Sequence, residues 1–138
     1  MKTTEMTVEK LEQYKGLTSE MKALRDQIDS LYDTYRSPQL MSDGGSHSMS
    51  AAGSPTESAV EKILNLKETY SKKYEEALDL LAEVEAWLST VDDVEIRSIC
   101  RHHYILNKSW SQTSAIVYGF RSYYNSRKRV MRYFGREK

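Results

Sequence analysis

Two apolar stripes with alternating three- and four-residue spacing constrain the fold more than any other feature of this chain. The first runs Tyr14, Leu17, Met21, Leu24, Ile28, Leu31, Tyr35; the second runs Val60, Ile63, Lys67, Tyr70, Tyr74, Ala77, Leu81, Val84, Leu88. Such alternation is the seam of a helix that packs lengthwise against another helix. Leu64, Leu66, Leu78 and Leu80 widen the second stripe, and Trp87 closes it. A helix from Thr7 to Arg36 would span roughly 45 Å at about 1.5 Å per residue. Gly16 inside it costs on the order of 1 kcal/mol and loosens the first turns. The second helix is expected from Thr56 or Ser58. Neither helix can bury a one-sided stripe alone, so residues 1–36 and 57–90 are expected to form a long antiparallel helical hairpin. Between them, Ser37-Pro38 ends the first helix, and the Ser- and Gly-rich run 37–56 reads as a flexible linker with His47 as a solvated residue. Tyr14, Tyr35, Tyr70 and Tyr74 are bulky for a two-stranded seam, which places them at a rim or an oligomer interface.

A formal net charge of zero conceals a sharp asymmetry. Residues 1–96 hold 10 Lys and Arg against 19 Asp and Glu, a balance of −9. Residues 97–138 hold 10 Lys and Arg with Glu137 as the sole acid, a balance of +9. A basic third of this kind is the electrostatic footprint of a polyanion partner. The competing reading is that the basic third docks on the acidic hairpin and the two neutralise each other. The single cysteine, Cys100, excludes an internal disulfide framework. No signal-like segment and no 18-residue apolar run stands in the sequence, so a soluble cytoplasmic protein is expected.

Residues 91–138 read as a basic three-helix domain. Asp92-Asp93 breaks the second seam and supplies an N-cap for a helix carrying Val94, Ile96, Ile99, Cys100, Tyr104 and Ile105. Asn107-Lys108 forms a turn, since Asn tolerates left-handed backbone. Ser109 or Ser111 caps the next helix, which Trp110 and Ile116 anchor. Four residues after the small Ala115 comes Gly119, able to turn the chain sharply. Ser122 then caps a final helix. Placed at about 100° per residue, Tyr123, Tyr124, Val130, Met131 and Phe134 fall on one side of it. Arg121, Ser122, Asn125, Lys128, Arg129 and Arg132 fall on the other. Arg127 projects into the apolar sector, which calls either for a pairing with Glu95 or another acid or for a different register of the helix. The last two helices form a helix-turn-helix, and Arg and Asn on its basic face are the side chains that make bidentate contacts to guanine and adenine edges. Cys100, His102 and His103 do not read as a metal site, because adjacent histidines point to different helix faces and no second cysteine pair exists.

From Val91 onward the chain resembles region 4 of the σ70-type sigma factors, through Arg97, Tyr104, the Lys108-Ser109-Trp110 turn, Ala115, Gly119 and the basic helix to Phe134. It is similar in the same residues to small phage and prophage proteins of Gram-positive bacteria, the ArpU-like and RinA-like regulators of late genes. The N-terminal pair of helices, with Arg36-Ser37-Pro38 opening the linker, extends the resemblance over most of the chain. Asn125 and Arg127 depart from it, standing where a sigma-like recognition helix carries apolar residues. The resemblance implies sequence-specific binding of double-stranded DNA in the control of phage late or packaging genes, in the cytoplasm of a bacterial host.

The expected architecture is therefore all-α, a long antiparallel hairpin followed by a three-helix helix-turn-helix domain. The expected DNA-binding residues are Arg121, Ser122, Asn125, Ser126, Lys128, Arg129 and Arg132, with phosphate contacts from Lys108, Ser109 and Arg136. The hairpin would make the protein a homo-oligomer or touch RNA polymerase. No carboxylate pair, Ser-His-Asp set, Cys-His pair or phosphate loop has a sensible placement, so neither an enzyme nor a cofactor is expected. The alternatives are a DNA-packaging component resembling a small terminase subunit, and a protein-interaction module without DNA affinity.

Overall fold

A computed structural model describes residues 5–36 and 45–136 of the chain, with side chains for 5–34 and 57–136. Every regular element among them is helical: α1 Val8–Arg36, α2 Gly45–Leu88, α3 Val94–Cys100, α4 Trp110–Tyr118 and α5 Tyr123–Tyr133. The chain continues from α3 through a π-helical turn, Arg101–Ile105, closed by Leu106 N–H donating to Arg101 O at 2.8 Å. The fold is all-α, with the long pair α1 and α2 packed together and a helical domain after them. No described helix is long and apolar enough to cross a membrane.

The chain divides into two compact units, Met1–Ser19 with Glu76–Lys138, and Glu20–Glu75. Within the second unit α1 and α2 run antiparallel. Lys73 pairs with Glu20 at 3.4 Å, and Lys67 donates to the Tyr32 hydroxyl at 2.9 Å. Ile28, Ala59 and Ile63 are buried there. The helix pair follows the periodicity of α1 as expected, and α2 keeps Ile63, Ala77, Val84 and Leu88 of the expected line, while Ala59 and Leu80 are buried in place of Val60 and Leu81. Ala59, Ile63, Ala77, Leu80, Val84 and Leu88 are buried, whereas Val60, Lys67 and Tyr74 are exposed. Tyr14 is buried rather than at a rim, and burial raises its hydroxyl pKa. Tyr74 is exposed and stacks on the half-buried Tyr70 with centroids 6.4 Å apart. The side chain of Tyr35 lies outside the described residues.

Of the linker expected over 37–56, residues 45–56 are helical. Helix α2 begins at Gly45, not at Thr56 or Ser58. Met49, Ala51 and Ala52 have strong helix propensity, which a reading of Ser and Gly content overlooks. Residues 37–44 lie outside the described residues.

In the first unit, the N-terminal turns of α1 and the last turns of α2 enter the core of the C-terminal helices. Met6, Leu11, Val84, Leu88 and Val91 form one cluster with Ile96, Ile99, Cys100, Tyr104 and Val130. The boundary expected at residue 91 therefore does not separate two cores. The helix-turn-helix is built on the base of the hairpin.

Candidate nucleic-acid interface

Local chemistry sets the geometry of α3, α4 and α5. Asp93 is the N-cap of α3, accepting from Ile96 N–H at 3.2 Å, and that bond, followed by the Arg129 guanidinium, holds its carboxyl below the usual aspartate range. Asn107 takes the left-handed backbone expected of it, with φ of 62°. Of the two serines expected as caps for α4, Ser109 fills the position. It accepts from Gln112 N–H at 3.0 Å, and the Gln112 side chain accepts from Ser109 N–H at 2.9 Å, a reciprocal capping box. Gly119 closes α4 with φ of 90°, its N–H donating to Ala115 O at 3.0 Å. A Cβ there would meet nothing within 4 Å, so the backbone angle rather than crowding calls for glycine. Ser122 caps α5, accepting from Asn125 N–H at 3.1 Å.

The close approach of α4 and α5 is made by Ser114 and Ser126, both fully buried, with hydroxyls 2.8 Å apart. Ser126 Oγ also donates to Trp110 O at 3.1 Å, and Ser126 N–H donates to Ser114 Oγ at 3.2 Å. Ser126, expected to touch DNA, is thus a helix-crossing residue without a solvent face. Only a side chain this small, able to satisfy its own polar atom, fits the crossing.

Behind the pair, the π-helical turn adds a residue that lets the adjacent His103 and Tyr104 both point inward. His103 stacks on Trp110 with centroids 3.5 Å apart, and its Nδ1 lies 2.7 Å from Lys108 O. A carbonyl only accepts, so Nδ1 carries the proton. Burial, then the nearby Lys15 ammonium, push the imidazole down to about 4, and the ring is neutral at pH 7. Lys15 of α1 donates to Asn107 Oδ1 at 2.6 Å, His103 O at 3.1 Å and Lys108 O at 3.4 Å. Asn107 Nδ2 donates in turn to Thr18 Oγ1 at 3.3 Å. Helix α1 therefore ties down the turn before α4, a contact made across 92 residues that no local pattern announces. Cys100 is buried, which raises its thiol to about 12, the state of an inert packing residue rather than a ligand or nucleophile.

The 10 Lys and Arg residues from Arg97 onward are not equivalent. Arg97 donates to Val91 O at 2.7 Å, and Arg101 pairs with Glu85 at 2.9 Å. Arg129 pairs with Asp93 and lies 3.6 Å from Glu95, which also accepts from the Tyr118 hydroxyl. Burial first, and Glu95 second, push that hydroxyl up to about 12. Arg136 pairs with Glu9 at 2.6 Å. Arg127 borders a hollow with Glu9 and Glu12 of α1. The reading that acids of the hairpin neutralise the basic third is realised in part, through Glu85 and Glu9.

Lys108, Arg121, Lys128 and Arg132 have no carboxylate partner among the described residues. Arg121 is exposed and donates to Ser111 Oγ at 3.3 Å. Tyr124, Asn125, Lys128 and Arg132 are all exposed on α5, at the three- and four-residue spacing of one helix face. The expected face centres on Ser122, Asn125 and Arg129. The exposed face is instead turned by about one residue, because Ser126, Val130 and Met131 form the buried side. Ser122 and Arg129 are moved to the flank, where one caps the helix and the other bridges to α3. Ser109 is occupied by its capping box and Arg136 by Glu9, which leaves Lys108 as the uncommitted member of the expected phosphate contacts. Tyr123 and Tyr124, expected on the apolar side, are 53% and 64% exposed. The signal that finds Tyr124 is its place three residues after Arg121 and four before Lys128. Among the described residues no group of three or more His, Cys, Asp or Glu is placed to hold a metal ion. Comparison with protein-family models, with curated proteins and with solved structures gave no match.

Proposed function

We propose that the unit containing α3, α4 and α5 is a sequence-specific, major-groove DNA-binding module. Within the resemblance to sigma region 4, its role would be the control of phage late transcription. The observation that carries the reading is the outward face of α5. Tyr124, Asn125, Lys128 and Arg132 project from a capped helix, Arg121 stands in the turn between Gly119 and its cap, and no Asp or Glu lies between Arg97 and Arg136. Asn125 is the residue on this face suited to a bidentate contact with an adenine edge. Tyr124 beside it offers an apolar surface to a thymine methyl. Lys128 and Arg132 suit guanine O6 and N7 or the flanking phosphates, and Lys108 at the start of α4 suits a phosphate. The unit Glu20–Glu75 would supply self-association or a contact to RNA polymerase, and its exposed Val60, Leu64 and Tyr74 support that role. A packaging component would use the same DNA face, and a closed ring rather than a dimer in solution would favour it.

A protein-interaction module is the second reading, favoured by Ile116, Phe120 and Tyr123, each at least half exposed beside the basic face. Selection of bound duplexes from a random pool by the full-length protein decides between them. The DNA reading expects a converging motif and an affinity that falls steeply with salt as counterions are displaced. A folded protein that retains no duplex at low salt would establish the second reading.

A further inference from the structure

The first unit carries an open cleft of about 680 Å³ bounded by Trp87 from α2, Tyr133 and Phe134 from the end of α5, and Glu5, Met6 and Glu83. The DNA reading makes no use of it. Its aromatic walls have a defined arrangement. Phe134 stacks on Trp87 with centroids 5.5 Å apart and planes 29° apart, so the pair makes one wall of tilted, stacked rings. Tyr133 stands at 86° to Phe134 with centroids 5.4 Å apart and edge-on to Trp87 at 6.3 Å, forming a second wall nearly perpendicular to the first. Tyr133 is 42% exposed, although a large aromatic at the end of a helix could be covered at little cost. Two carboxylates stand among the lining residues. Glu83 Oε1 accepts from Lys10 at 3.0 Å, whereas Glu5 is exposed.

We infer that this aromatic corner with its acidic edge is a binding site for an arginine side chain presented by a protein partner. The ring faces carry negative potential that attracts a cation, and a guanidinium is flat enough to lie on one wall while its edge N–H groups reach a carboxylate. A neutral apolar plug would gain the rings but leave Glu5 without a counter-charge, since Lys10 already pairs with Glu83. A nucleic acid is repelled by the exposed Glu5, so the corner takes a different partner class from the outward face of α5.

The test uses the full-length protein labelled with ¹⁵N and follows the indole N–H signals of Trp87 and Trp110. The probes are acetyl-Gly-Arg-Gly-amide and its citrulline analogue, which keeps the shape and removes the charge. The arginine peptide should shift the Trp87 signal saturably with a millimolar Kd and leave Trp110, packed under His103, in place. Glu5→Gln, an exposed change that does not threaten folding, should raise that Kd about two- to fivefold, the range expected of an exposed ion pair. Equal shifts from the citrulline peptide would overturn the inference, as would a Trp87 signal that no arginine concentration moves. An unchanged Kd in Glu5→Gln would overturn the acidic edge.

Discussion

Lys128 and Arg129 are neighbours on α5 with the same charge and opposite circumstances. Lys128 is exposed and has no carboxylate partner among the described residues, whereas Arg129 is clamped between Asp93 and Glu95 at the start of α3. The same contrast repeats between Arg132, which is exposed on the outer face, and Arg136, which holds Glu9. Basic composition therefore overstates the surface available to DNA. Part of the charge from Arg97 onward pins α5 to α3 and to α1, and the remainder is gathered on one face.

The largest effect that would sharpen this contrast concerns the base of the hairpin. Because Leu11, Val84 and Leu88 share a core with Ile96, Tyr104 and Val130, a fragment of residues 91–138 should show no cooperative thermal transition and no DNA affinity. Leu88→Ala in the full chain should cost about 2–5 kcal/mol in urea unfolding, as for other fully buried leucines. A folded fragment 91–138 would separate the basic helices from the hairpin and break the account of their core.

Next come the clamped and unclamped cations. Arg129→Ala should lower stability by roughly 1 kcal/mol, because it leaves Asp93 and Glu95 facing each other on a partly exposed surface. Lys128→Ala and Arg132→Ala should each change stability by less than about 0.5 kcal/mol. Their cost should appear in duplex binding and in a reduced salt slope. If Arg129→Ala leaves unfolding unchanged while Lys128→Ala destabilises, the division of labour along α5 is reversed.

A smaller effect lies in the pH dependence. His103 in the folded protein titrates at about 4, below its ordinary 6.5, so the unfolded chain takes up a proton first as pH falls. Its stabilising contribution is intact above pH 6.5 and is lost between 6.5 and 4, with uptake of about one proton on unfolding in that window. Asp93 acts separately. Its carboxyl is held below 3.8, so its contribution is present above 3.8 and is lost at lower pH. Urea midpoints at pH 7, 5.5 and 4.5 for the native protein and for His103→Gln would reveal the difference. Parallel curves would show that His103 is not the group responsible.

Turn and cap chemistry was legible in the sequence because it acts over three or four residues. Asp93, Asn107, Gly119 and Ser122 all do what their side chains or backbone freedom suggest. The seam of α2 was legible at Ile63, Ala77, Val84 and Leu88 and missed at alternate positions, where Ala59 and Leu80 are buried in place of Val60 and Leu81. Periodicity alone does not choose between two adjacent apolar residues. The partners of Arg129 and Arg136 were illegible for a different reason. They lie 36 and 127 residues away, and only the tertiary fold brings them together. The exposed face of α5 is turned by about one residue from the expected one for the same cause. Ser126 looks like a surface residue until the crossing with Ser114 buries it.

The most direct test of the proposal is the affinity of Asn125→Ala for a selected duplex and for a scrambled one, each at two salt concentrations. Asn125 is exposed at the centre of the outer face, while its backbone N–H alone serves the Ser122 cap. A base-reading role predicts a loss of about 1–3 kcal/mol on the selected duplex, little change on the scrambled one and an unaltered salt slope. Equal losses on both duplexes, or no loss on either, would contradict the claim that the outer face of α5 reads DNA sequence.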